Sequence, residues 1–403
     1  ISSEAEQKSP DYDADFKIET NEEDGTATIR GYFGQEKDVV IPKMLRKVTY
    51  TADVVSNPSE DVISACEDYL INDSGMPSVL LGDVCKNGKS GLDGMTLKEF
   101  IARGVLIQSD LKQLEKIGSI TNLQANYSSE KYVVTSIGEN AFRDYNQLTS
   151  VTIPNSVTTI GGYAFYNNQL TSVMIPDSVI TIGSNAFELN ELTTIAIPSS
   201  VTSIGDYAFS NCSLINIIVY SNNSAYDSRD NCNAIIETSS NKLIQGSQKT
   251  IIPNSVKIIE KGAFSFLQLT NITIPSSVTS IGYSAFRGNQ LTSITIPSSV
   301  TEILSDAFSL NNLNYVIIDS GIKFSAIGIG AFSSSNEMLT LNDITYVDNP
   351  NLKTIYNNSG RVFDWNYAVN GTSGTLFETG TTNAKTSGST RYNAVTVTTG
   401  QPS

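Results

Sequence analysis

The chain contains no histidine. That removes the side chain most used as a general base, as a zinc ligand and as a switch near neutral pH. Four cysteines are present, Cys66, Cys85, Cys212 and Cys232, with no Cys-x-x-Cys pair among them. A thiolate zinc site is therefore not expected. Tryptophan occurs once, at Trp365. Positive charge is scarce: 26 Lys and Arg stand against 41 Asp and Glu, a net charge of −15. Phosphate backbones and anionic lipid surfaces need clustered cations, so neither nucleic acid nor a membrane surface is an expected partner. No apolar run reaches the ~18 residues of a spanning helix.

Catalytic signatures are missing as well. Without histidine there is no Ser-His or Cys-His couple. No Gly-x-Ser-x-Gly elbow and no glycine-rich phosphate loop precedes a helix. The acidic run Glu22-Glu23-Asp24 falls in a hairpin turn. Asp227 and Asp230 could touch Ca²⁺, but neither EF-hand nor nonapeptide spacing surrounds them. No catalytic, cofactor-binding or metal-binding residue is assigned, and the chain is not expected to be an enzyme.

What the chain does contain is a repeated phrase. Its clearest copies read LTSVTIPNSVTTIGGYAF, LTSVMIPDSVITIGSNAF, LTTIAIPSSVTSIGDYAF and LTSITIPSSVTEILSDAF. The Phe of each Ala-Phe pair falls at 142, 165, 187, 209, 264, 286, 308 and 332, with gaps of 23, 22, 22, 55, 22, 22 and 24. Leu-x-x-Ile-x-Ile at such a period predicts a leucine-rich solenoid, mostly β with short turns. Each coil contacts only its neighbours, so a long chain needs no single large core. Leu148, Val151 and Ile153 point inward from one strand, Pro154 ends it, and Ala164 with Phe165 fill the back of the coil. Asn146, Asn168 and Asn289 precede the strand Leu and are expected to satisfy backbone groups at the turn.

Four regions follow. Residues 1–45 form an N-terminal cap coil, with a hairpin at Asp24-Gly25 and a strand at Val39-Val40-Ile41-Pro42. Residues 46–131 interrupt the rhythm as a partly helical insertion. There Thr96 and Glu99 make a capping box, Leu97, Phe100 and Ile101 share one face, and a second helix runs from Ser109 to Gly118. Residues 132–348 are the solenoid, with an island between Phe209 and Phe264 expected to project as a hairpin. Residues 349–403 are a C-terminal cap containing Trp365, followed by a Gly, Ser and Thr rich tail. The cysteines fall in two local pairs, separated by 19 and 20 positions. Disulfides Cys66–Cys85 and Cys212–Cys232, formed in an oxidising compartment, fit that spacing. A start at Ile1 rather than Met fits a mature exported chain.

The phrase LTTIAIPSSVTSIG followed by Ala-Phe resembles the BspA-like leucine-rich repeat family of bacterial cell-surface proteins. The island YDSRDNCNAIIETSSNKLIQG resembles a segment that recurs there. The resemblance implies a right-handed coil, an exported location and adhesion to host matrix or cells. It carries no residue-level binding motif. The family often has a cysteine where this chain has Ser247, a difference that bears on the Cys212–Cys232 pair. The insertion at 46–131 departs from the family pattern and, with two C-terminal segments, is similar to surface proteins joining a pilin-like region to such repeats. A pilin-like or wall-associated arm is thus the rival to an adhesin.

The outward strand positions are mostly small and polar. Met174, Ile218, Tyr315 and Ile317 break that ladder and are the candidate contacts for a protein or cell-surface partner. Tyr163 and Tyr207 in the turns are read as packing residues.

Overall fold

A computed structural model describes residues 10–73, 82–91, 94–144 and 147–320, with short pieces of the C-terminal region up to 402. The expected cap around Trp365, and Asn146, lie outside the described residues.

The N-terminal hairpin pairs β1 (Phe16–Asn21) with β2 (Thr26–Tyr32) around Gly25, whose φ of 69° suits a residue without Cβ. Next, β3 (Asp38–Val40) lies parallel to Ser150–Thr152 and so enters the stack as its first rung. The long strands β4 (Met44–Val54) and β5 (Ile120–Ile137) then run antiparallel away from it.

Between them sit α1 (Glu60–Asp68), α2 (Leu97–Ala102) and α3 (Gln108–Ile117). The expected capping box starts α2: Glu99 N–H donates to Thr96 Oγ1 at 3.3 Å, and Thr96 N–H donates to Glu99 Oε2 at 2.7 Å. Leu97, Phe100 and Ile101 are buried, as their spacing requires. They join Cys66, Cys85, Leu111 and Leu114 in a small core separate from that of the repeats. Cys66 and Cys85 are disulfide-bonded across it. No helix among the described residues is long and apolar enough to cross a membrane.

The distal end of β5 pairs with Thr159–Ile160, and from there the coils stack in parallel. Among the described residues the regular coils share a proline turn and a two-residue second strand, and several add a front strand such as Thr194–Ile197 or Ser293–Ile296. In most coils the chain then bends at glycine, with Glu260 and Leu304 as exceptions: a Cβ on Gly183 would stand 2.4 Å from Gly162 N, so these coils approach through bare backbone. Two left-handed residues flank each core phenylalanine from Phe142 to Phe308, such as Tyr163 (φ 54°) and Asn167 (φ 53°) around Phe165. Inside, Phe142, Phe165, Phe187 and Phe209 stack with centroids 5.0 to 5.5 Å apart. A second column runs from Phe264 to Phe332.

The two columns meet at a seam made by the island. The island does not simply project. Ile235–Glu237 and Lys242–Gln245 form the expected hairpin, but the second strand pairs in parallel with Ile258–Ile259 and carries the sheet onward. Ala234, Ile235, Ile236 and Leu243 are core residues, and their burial is what draws the hairpin into the stack. Gly246 lies where a side chain would strike the Phe264 ring, 2.1 Å from an added Cβ.

Candidate interaction surface

Strand alternation decides which side chains this stack offers outward. The slot two residues before each strand proline is filled by Thr152, Met174, Ala196, Ile251, Thr273 and Thr295. Ile218 is in register with Ala196 and belongs to the same row. Met174 is 82% exposed and Ile251 79%, against 49% for Ile218. Tyr220, two residues beyond Ile218 and on the same side by alternation, is 47% exposed. These four stand exposed at the front of their coils, where Thr152, Thr273 and Thr295 fill the corresponding slot elsewhere. Ile251 and Tyr220 were missed in the outward set, although aligning the copies on their Ile-Pro pairs puts Ile251 in Met174's slot.

Ile317 corrects the expectation. It is buried, at 9% exposure, and Tyr315 is half-buried. The cause is the strand Thr354–Asn357, which pairs with Tyr315–Ile318 and sets Tyr356 beside Ile317. The Tyr356 ring meets Tyr315 edge-on, with centroids 6.0 Å apart and an interplanar angle of 82°. The two form a small aromatic cluster over Ile317 rather than a free patch.

The Cys212–Cys232 disulfide is also overturned: both cysteines are buried and free. Cys212 takes the place of the turn asparagine in its coil. Its Sγ lies 3.3 Å from the Phe187 carbonyl, the same kind of partner that Asn168 and Asn190 reach one coil earlier. Burial pushes its thiol up to about 12. Cys232 sits in the island, 3.7 Å from Ser228 Oγ, and burial raises it too. Ser247 donates to the Asn233 carbonyl at 3.0 Å.

Asp227 is committed internally. Asp227 accepts from Arg229 Nε at 2.7 Å and from Nη2 at 2.6 Å, and from Thr238 Oγ1 at 2.8 Å. Burial opposes ionisation there, but Arg229 and the hydroxyl win and hold the carboxyl below its usual range. Among the described residues no group of three potential metal ligands converges. Tyr163 packs edge-on against Tyr166 at 5.4 Å, with Arg143 4.9 and 4.8 Å over the two rings. Tyr207 lies across Gly262, whose added Cβ would be 2.4 Å from the ring.

The repeats match a known family model. The model of the BspA-type leucine-rich repeat region matches in six copies over residues 115–234 and 240–360, more than half of the chain. A leucine-rich repeat protein of Eubacterium ventriosum is 26% identical, with 56% of this chain and 59% of that one covered and a TM-score of 0.42. This chain thus spans under two thirds of that protein. One from Bacteroides ovatus is 19% identical, with 86% and 70% covered and a TM-score of 0.43. A leucine-rich cell surface protein of Faecalibacterium prausnitzii is 20% identical, with 90% and 97% covered and a TM-score of 0.34. No curated protein matches. The coil-by-coil register and the six matched copies together place this chain in the BspA-type leucine-rich repeat family.

Proposed function

We propose that this chain is a non-enzymatic bacterial surface or secreted protein that binds a protein or cell-surface partner, with host matrix as the first class to test. The observation that carries it is Met174, Ile218 and Ile251, three exposed apolar side chains at corresponding positions of their coils. Leaving such residues in water on a β face is unfavourable unless a partner covers them. Family membership supports export, and the Cys66–Cys85 disulfide supports an oxidising compartment. The crossover rule favours a right-handed coil.

The test is binding of the purified chain to immobilised extracellular-matrix proteins, with Met174→Ser, Ile218→Ser and Ile251→Ser beside it. Saturable binding that the three changes weaken supports the reading. No binding to any of them, together with self-assembly into fibres, would sink it in favour of a structural arm.

A further inference from the structure

The front sheet has an open edge at the seam. In the parallel pair formed with Thr194–Ile197, Asn216 N–H donates to Thr193 O and Tyr220 N–H to Ile197 O, both at 3.1 Å. In a parallel ladder alternate residues turn their N–H and C=O to opposite edges, so Ile217 and Val219 face away from that partner. Beside Ser293–Ile296 the next coil fills this side with Tyr315–Ile318. At the seam it does not, because the island loop is wedged in. Asn233 accepts from Ile217 N–H at 2.6 Å and donates to Ile215 O at 2.8 Å. Ile251 N–H donates to Cys232 O at 3.2 Å on the loop's other side.

The wedge covers only half of the edge. Ile217 C=O, Val219 N–H and Val219 C=O have no partner among the described residues. They open on a cleft lined by Ile217, Val219, Ser228, Asn231, Asn233 and Lys249. Lys249 is exposed and makes no ion pair among the described residues. An unpaired strand edge is a template for another strand. An acceptor, a donor and an acceptor in succession suit one extended chain, whose alternate side chains would lie beside Ile218 and Tyr220.

We propose that this edge accepts an extended peptide segment of a partner protein as an added β-strand, with apolar residues at alternate positions and a carboxylate set against Lys249. The inference rests on the reading that the strand face around Ile218 is the contact surface. The loop and Lys249 flank the edge closely, so a single extended chain fits where the edge of a folded sheet would not.

The probe is a display library of short random peptides selected on the immobilised full chain. Enriched peptides should alternate apolar residues and carry an acid. Their affinity should fall about tenfold for Val219→Pro, which removes the central donor, and for Lys249→Glu. Slowed hydrogen exchange at the Val219 amide of the unaltered protein on peptide binding is a readout that needs no variant to fold. Failure to enrich any peptide, or unchanged Val219 exchange in a saturated complex, overturns the proposal. A matrix partner whose binding is lost with Ile218→Ser but indifferent to Val219→Pro and Lys249→Glu also overturns it, while leaving the surface reading intact. Indifference to Ile218→Ser sinks that reading itself.

Discussion

The Asn190 side chain donates to the Phe165 carbonyl one coil earlier, at 2.9 Å, and its own oxygen accepts from Leu170 N–H at 3.1 Å. It also donates to its own coil's Phe187 carbonyl at 2.9 Å. One buried amide thus clips two coils. Asn168, Asn289, Asn311 and Asn349 repeat the pattern. Asn190→Ala leaves a buried N–H and two carbonyls without that partner, so urea unfolding should show a loss of about 2–4 kcal/mol. A loss below about 0.5 kcal/mol would mean that the ladder does not hold the coils together.

Reducing Cys66–Cys85 should destabilise the helical insertion and spare the repeats. The two have separate cores, and the disulfide closes a loop of 19 residues inside the smaller one. Chain entropy gives about 3 kcal/mol for such a loop. With reductant, limited proteolysis should cut first between β4 and β5, and the main melting transition should stay in place. A main transition that shifts by as much as the insertion does would show that the two cores unfold as one.

Glu188 should make the solenoid slightly acid-preferring. Burial raises its carboxyl above the usual value of 4.5, against the opposing amides of Asn185 and Asn211. A raised carboxyl contributes stability that is complete below the unfolded value and fades as pH rises through the folded one. Glu188→Gln should therefore stabilise the protein in neutral buffer and flatten the stability profile in mild acid. Chemical denaturation in both buffers checks it, and an equal effect in the two contradicts the sign.

Cys212 and Cys232 should resist alkylation in the folded chain. Both thiols are buried, and burial disfavours the thiolate that reacts. Iodoacetamide followed by mass spectrometry should label both only after denaturant is added. Rapid labelling of the native protein would mean that the seam opens freely.

Much of the coil could be read from the sequence because its contacts are periodic. Leu148, Val151, Val157, Ile160, Ala164 and Phe165 are each buried where the copy-to-copy spacing puts them. The capping box at Thr96 and Glu99 is local and was equally legible. The departures were not, because each depends on a residue far away in the chain. Nothing near Ile317 announces that Tyr356 will stand beside it. Nothing near Cys212 says that its sulfur will replace an asparagine over Phe187 instead of reaching Cys232.

By itself, then, the sequence determined the period, the inward side of every regular coil and the exclusion of histidine-based chemistry, because these follow from composition and from side-chain alternation within one short phrase. Tertiary structure alone decided which outward apolar residues remain in water, how the cysteines are used, and that the island is laid into the stack with half a strand edge left open. Those outcomes turn on which distant segment arrives beside a given strand, and burial of that segment's own apolar residues sets the arrangement.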